Sequence, residues 1–275
     1  MNRIIIPIVI VIIMVAGYLA ISSRQQTDKT PVTVEIELPP ENRQAPPQQP
    51  ASPPAQQFPV PPATQSVSAE PVKPLPTLDT SDQVIEQEFT GLVNGDSQLA
   101  QLFLFKTFVR NFVVIVDNLT AAKIPQKYQF VKPPAGTFLV KQDELEKTYL
   151  NPENHARYLP FVRMVAALDT DNLVNVYVYL YPLFQQAYEE LGYPDKYFND
   201  RLVEVINHLL QTPELADPIA LVQPKVFYQY ADPELEARSA GQKLLMRVGK
   251  ENADLLKRKL QDVKAKLTSL QGLKQ

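Results

Sequence analysis

The chain begins with a long run of apolar residues. Positions 4–21, IIIPIVIVIIMVAGYLAI, hold 18 residues and no charged side chain. As an α-helix this run would be about 27 Å long, close to the roughly 30 Å hydrocarbon thickness of a bilayer. Pro7 lies in what would be the first turn, where proline is tolerated, and Tyr18 suits the membrane interface. The run therefore predicts a transmembrane helix.

The charges that flank this run predict its orientation. Only the amino terminus and Arg3 precede it, whereas the basic residues that follow it are offset by acidic ones. Positive charge favours the cytoplasmic side, so we expect residues 1–3 in the cytoplasm and the rest of the chain outside it. The alternative is a cleaved signal peptide, with Ala20 and Ser22 before the cut. We favour an uncleaved anchor because the apolar core of a signal peptide is usually only about 7–15 residues long.

Proline dominates the next segment. Residues 28–77 contain 14 of the 26 prolines in the chain, with Gln, Ala, Ser and Thr between them. Because such a composition cannot bury an apolar core, we predict a disordered, Pro-rich spacer over residues 22–77. Fifty residues of it, fully extended at about 3.1 Å each, would span about 155 Å. The spacer can act as a passive linker, as a reach toward a target away from the membrane, or as a PxxP-like docking segment.

The rest of the chain, residues 78–275, has the length of one domain with a sizeable core. Subtracting the five basic and five acidic residues before position 78 from 27 and 30 leaves 22 basic and 25 acidic residues, a net charge of −3. The domain therefore has no overall cationic attraction for nucleic acid or anionic lipid. The absence of Cys from the sequence excludes disulfides, a thiol nucleophile and cysteine-ligated zinc.

Apolar spacing of three and four residues predicts a mostly α fold. We expect a central core helix within residues 98–119, because Lys106, Arg110 and Asp117 make a second membrane span too costly. Its predicted apolar stripe is Leu102, Phe105, Val109, Phe112, Val116 and Leu119.

Cap and proline signals place further helices. Asn151-Pro152 and Asp232-Pro233 each predict a helix start, and we expect the second of these helices to run to near Gly249. A last helix, from about Glu251, carries its leucines in heptad spacing and is expected to cover the core.

One short stretch is the best candidate for β-structure. Residues 219–230 read as a minor β-hairpin broken at Pro224, with the TFLV segment at 137–140 as a candidate partner.

Asp200, Glu204 and His208 follow each other at four-residue intervals in YFNDRLVEVINHLL, residues 197–210. A metal site would need further ligands, and the only other histidine is His155. We therefore interpret Glu204 and His208 as the solvated face of a helix that buries its Leu, Val and Ile residues.

Asp200 is ambiguous, because a carboxylate near a helix start can cap the helix or pair with an arginine. Arg157, next to Tyr158, is a candidate partner, and Arg201 lies on the polar face beside Asp200. These four residues are the surface or ion-pair candidates of the sequence. No residue is assigned a catalytic, cofactor-binding or metal-binding role, since the sequence has no HExxH, GxSxG, SxxK or phosphate-loop motif.

Tyrosines crowd the same region, and six of them fall between positions 177 and 197. They cannot all lie on one helix face, so some must expose a ring or a hydroxyl at a surface or groove. Ordinary amphipathic packing is one interpretation, and a recognition surface for sugar, peptide or protein is the other.

Four separated blocks carry a family resemblance over roughly residues 75–270. In order they are FVRNFVVIVDNL, NHARYLPFV, YPLFQQAYEELGYPDKYFNDRLVEVINHLLQTP and DPELEARSAGQKLLMRVG. They resemble the bacterial family called domain of unknown function 3014, whose members are similar in carrying a short N-terminal anchor and a Pro-rich spacer. The resemblance implies a Gram-negative envelope protein and supplies no activity, cofactor or catalytic residue.

These observations predict a single-pass inner-membrane protein that holds a helical periplasmic domain, residues 78–275, and binds an envelope protein or glycan without catalysis. One alternative is a hydrolase of an envelope polymer that uses the carboxylates of Asp200 and Glu204, which would have to face each other across a cleft. The other is a carrier of a small apolar ligand in the helical core.

Overall fold

The computed structural model describes residues 55–61 and 74–270. The predicted anchor at 4–21 and the cytoplasmic tip at 1–3 lie outside these residues. Within the described ranges, none of the helices has both the length and the apolarity needed to cross a bilayer.

Helices make up most of the described structure, which confirms the mostly α prediction. Within the part of the chain that the structure describes, three short 3-10 helices occur, at Leu78–Thr80, Gln126–Tyr128 and Pro152–Tyr158. The α-helices in the described ranges are α1 Asp82–Leu92, α2 Ser97–Ala100, α3 Phe108–Asn118, α4 Leu159–Ala167, α5 Thr170–Glu190, α6 Phe198–Leu210, α7 Pro233–Glu236, α8 Ala240–Arg247 and α9 Lys250–Ser269.

The helical core is centred on α3. Phe112, Val113 and Val116 expose at most 2% of their surface, and both α5 and α6 pack against this helix. Helix α9 lies across α4, α5 and α6. The predicted heptad residues are buried, as expected for a helix that covers the core: Leu256, Leu260, Val263 and Leu267 within α9, and Leu270 directly after it.

The prediction of one continuous helix over 98–119 is wrong in its first half. Helix α2 ends at Ala100 and α3 begins only at Phe108. Between them Leu104 N–H donates to the Phe130 carbonyl at 2.8 Å, and Lys132 N–H donates to the Leu102 carbonyl at 2.8 Å. The apolar stripe nevertheless faces the core. Leu102 and Phe105 pack against it from the segment before α3, and Val109, Phe112, Val116 and Leu119 are buried.

The region after Asp232 contains two helices instead of the one predicted. Helix α7 ends at Glu236, and Ser239 starts α8 by accepting the N–H of Gln242 at 3.2 Å. The break arises because the start of α8 docks on another element: Gly241 N–H donates to the Leu119 carbonyl at 3.0 Å.

The four strands in the described ranges form one small antiparallel sheet in the order β1-β2-β3-β4. Their bounds are β1 Val140–Gln142, β2 Thr148–Leu150, β3 Ala220–Val222 and β4 Gln229–Tyr230. The hairpin predicted within 219–230 is therefore present as β3 and β4.

The candidate partner of that hairpin is wrong, however. Val140 pairs with Leu150 of β2, and it is β2 that pairs with β3, with Thr148 opposite Leu221. The local β1–β2 connection explains this order, because Asp143 accepts the N–H groups of Leu145 and Lys147, each at 2.9 Å, and so holds a tight turn.

Candidate functional site

A short piece of the Pro-rich region lies against the helical domain. The piece is Ala55–Pro61, AQQFPVP, which falls inside the range predicted as spacer. Phe58 and Val60 are partly buried and pack against the main hydrophobic core. Positions 58 and 60, two residues apart, thus contact the domain. The composition of the segment does not predict this contact.

Asp200 holds the backbone of this segment through two adjacent amides. One carboxylate oxygen, Oδ2, accepts the N–H of Gln57 at 2.9 Å, and the other, Oδ1, accepts the N–H of Phe58 at 2.8 Å. Hydrogen bonds to an ionised acceptor are stronger than those between neutral groups. The carboxylate therefore binds the backbone of the segment, while the side chains of Phe58 and Val60 add the contacts to the core.

Asn199 binds the carbonyl group of Phe58, whose N–H is already bound by Asp200. Its Nδ2 donates to the carbonyl of Phe58 at 2.7 Å, while its Oδ1 accepts the hydroxyl of Tyr177 at 3.0 Å. Asn199 is fully buried, so its amide orientation is set by these two partners. Burial raises the pKa of Tyr177 well above its usual value, which keeps the hydroxyl protonated as a donor.

Asp200 is available for the segment because another side chain serves the start of its own helix. Phe198 N–H donates to Oε1 of Gln185 at 2.9 Å. This is one of the amides that a helix start leaves unpaired. Asp200 lies in the first turn of α6, where the helix dipole also favours a negative charge. We call Asn199, Asp200, Tyr177 and the adjoining core surface the groove.

The tyrosines divide between packing and surface contacts. Tyr179 donates its hydroxyl to the carbonyl of Pro74 at 3.0 Å, which adds a second attachment of the Pro-rich region to α5. Tyr188 and Tyr193 stack with ring centroids 4.7 Å apart, and burial raises the pKa of Tyr188 to about 12. The crowded tyrosines therefore serve two purposes. Tyr177 and Tyr188 are buried in the core, whereas Tyr179 binds the Pro-rich region at Pro74.

The four candidate residues of the sequence are not gathered in one site. The guanidinium of Arg157 donates to the carbonyls of Ala135 at 3.0 Å and Gly136 at 2.9 Å, and Tyr158 is buried with 1% exposure. The candidate pair between Arg157 and Asp200 does not form, since the guanidinium of Arg157 binds these carbonyls, whereas Asp200 binds two backbone amides of the docked segment.

Arg201 instead joins α6 to α3. Its Nε lies 2.7 Å from Oδ1 of Asp117, and its Nη2 donates to the Asp117 carbonyl at 2.6 Å and to Oγ1 of Thr120 at 2.8 Å. Both charged side chains are mostly buried. This ion pair holds the helix that carries the groove against the central helix.

Glu204 and His208 behave differently from each other. Glu204 is exposed and lies 2.9 Å from Nη1 of Arg201, as a solvated helix face predicts. His208 is half-buried, with Nε2 2.8 Å from Oγ of Ser239, so its assignment to the wet face is wrong. The start of α8 covers this part of α6, and the resulting burial lowers the pKa of His208. No cluster of three potential metal-ligating side chains occurs in the described ranges.

Sequence reasoning named Asp200 and included Tyr177 among the crowded tyrosines, but it missed Asn199 and Gln185. The one available signal was the position of Asn199, three residues before Leu202, on the face that packs into the core. A buried amide on that face requires hydrogen-bond partners, and its immediate neighbours do not supply them.

One comparison with known proteins gives a match. The model of a family described as protein of unknown function (DUF3014) matches residues 108–264, which include α3, α6 and the groove residues. No curated protein and no solved structure matches the chain.

Proposed function

The chain belongs to the DUF3014 family, whose description names no activity, and we propose from the groove that it is a non-enzymatic peptide-binding module anchored in the bacterial envelope. The observation that supports this is the hold on Phe58, whose N–H and carbonyl are bound by Asp200 and Asn199 respectively. Main-chain hydrogen bonds of this kind give affinity for an extended peptide.

The docked segment indicates which peptides the groove accepts. Phe58 and Val60, two residues apart, pack on the core, and Pro59 and Pro61 follow each of them. Proline keeps a peptide extended and reduces the entropy lost on binding. The proposed ligand is therefore an extended segment with an aromatic residue, a proline, an aliphatic residue and a second proline, presented by an envelope protein.

The proposed setting of this module comes from the N-terminal sequence. Residues 4–21 would form the inner-membrane anchor, with residues 1–3 in the cytoplasm. Residues 22–77 would be the disordered spacer of a periplasmic domain, apart from the attachments made by residues 55–61 and Pro74. A binding module on such a spacer can reach partners at some distance from the membrane.

Peptide binding is testable with the full chain in lipid nanodiscs. The experiment uses a variant with Phe58→Ala and Val60→Ala, which weaken docking of its own segment. This variant is titrated into fluorescein-labelled AQQFPVP, and binding is followed by fluorescence anisotropy. We expect saturable binding that falls about tenfold or more when Asp200→Ala is added, since each hydrogen bond to a charged group contributes about 1.5–3 kcal/mol.

Two controls make this result specific to the groove. Asp195→Ala removes an exposed carboxylate that lies outside it and should leave the affinity unchanged. The peptide AQQAPAP, which lacks both apolar side chains, should bind at least tenfold more weakly. Equal binding of the two peptides, or full binding by the Asp200→Ala chain, would show that the groove is not a peptide site.

A further inference from the structure

We infer that residues 55–61 are a built-in competitor for the groove, and that a second peptide of the same chemistry releases them and so lengthens the spacer. This inference rests on the proposed function, since it assumes that the groove accepts a peptide supplied by another protein. It concerns how that site is regulated, and it begins with the connection between the docked segment and the domain.

The connection is short. Twelve residues, 62–73, join Pro61 to Pro74, and the carbonyl of Pro74 is itself held by Tyr179 at 3.0 Å. A short connection gives an attached ligand an effective concentration of about the millimolar range. The segment therefore occupies its own groove even if its affinity as a free peptide is modest.

The contacts that hold the segment on the domain are few and partly open to solvent, so the segment can be displaced. Phe58 and Val60 are only partly buried, and of the three hydrogen bonds to the segment's backbone one is exposed to solvent and two are part-buried. Segments with few buried apolar contacts and exposed hydrogen bonds open at low free-energy cost. A competing peptide needs only to supply the same aromatic and aliphatic anchors to replace them.

Release changes the length of chain between the proposed anchor and the domain. With the segment docked, residues 22–54 connect the anchor to the groove, which is 33 residues. With the segment released and Pro74 still held by Tyr179, residues 22–73 do so, which is 52 residues. At about 3.1 Å per residue the maximum reach rises from about 100 Å to about 160 Å. Occupancy of the groove by a partner would thus extend the reach of the domain.

The test compares two full-length chains in nanodiscs, one with the native sequence and one with Phe58→Ala and Val60→Ala. Labelled AQQFPVP should bind the native chain at least tenfold more weakly, because the apparent affinity is reduced by the fraction of grooves that are open. Equal affinities for the two chains would overturn the inference that residues 55–61 compete for the groove. Absence of binding to both would instead count against the peptide site itself, so the two failures are distinguishable.

A distance measurement tests the release directly. The chain has no Cys, so Ala55→Cys and Asp195→Cys can carry the only two spin labels. We expect one narrow distance in the native sequence and a broad, longer distribution after excess AQQFPVP is added. A distribution that peptide does not change would overturn the inference. So would loss of the narrow distance on dilution with unlabelled chain, which would show that a second copy supplies the segment.

Discussion

At the scale of single residues, two carboxylates of the domain each hold successive backbone amides of a distant segment. Asp200 does so for Gln57 and Phe58, and Asp82 does so for Thr107 at 2.6 Å and Phe108 at 2.9 Å. Each lies in the first turn of its own helix. A carboxylate at that position is expected to serve its own helix, but here each is used for a tertiary contact.

Gly249 shows how tightly a single position is constrained. Its φ is +87°, and a Cβ built there would lie 2.5 Å from Cγ of His155. We predict that Gly249→Ala destabilises the domain by about 2–4 kcal/mol, because it combines a strained backbone with a clash against a half-buried ring. Urea unfolding of the full chain in detergent, followed by tyrosine fluorescence, measures the loss.

Gly192→Ala is the matched control for this change. Gly192 also has a positive φ, +112°, but within the described ranges no atom beyond its chain neighbours lies within 4 Å of the position that a Cβ would take. Its substitution should report backbone strain alone and cost about 1–2 kcal/mol. If both variants lost the same stability, the contact between Gly249 and His155 would contribute nothing.

At the scale of helices and strands, the start of α3 depends on another helix. Thr107, the residue before α3, is left-handed with φ +50° and provides no side-chain cap, so the Asp82 carboxylate on α1 satisfies the first amides. This contact couples the formation of α3, the central helix, to the packing of α1.

We predict that Asp82→Ala lowers the free energy of unfolding by about 1–2 kcal/mol, the usual cost of losing a helix cap. The urea midpoint of the full chain in detergent measures this. Asp96→Ala is the control, because Asp96 caps only the four-residue helix α2, with its side chain 2.9 Å from Gln98 N. An equal loss from the two variants would show that the cap on α3 has no special weight.

The elements also show which sequence signals are reliable. Asn151 and Asp232 cap helices that begin with proline, as predicted, because caps and prolines act within one turn. The extents of those helices were less predictable. Ser239 starts a new helix three residues after Glu236, because Gly241 approaches Leu119 closely. A Cβ added at Gly241 would lie only 2.9 Å from the Leu119 carbonyl oxygen.

At the scale of the whole molecule, the proposed arrangement places the two ends of the chain on opposite sides of a membrane. Because the sequence has no Cys, Asn2→Cys and Glu251→Cys each create a single labelling site. We predict that an impermeant maleimide labels position 251 but not position 2 in spheroplasts. Detergent should make both positions reactive, and labelling of position 2 before detergent is added would contradict the orientation.

The local sequence determined where most helices begin and which faces they bury. It could do so because apolar spacing and helix caps act over only a few residues. Only the tertiary structure decided what Asp200 does. Its partner Phe58 is 142 residues away, and Gln185, on another helix, accepts the amide of Phe198 at the start of α6. The availability of a hydrogen-bonding group depends on every element packed around it, so the docked segment and its groove emerge only when the helices are assembled.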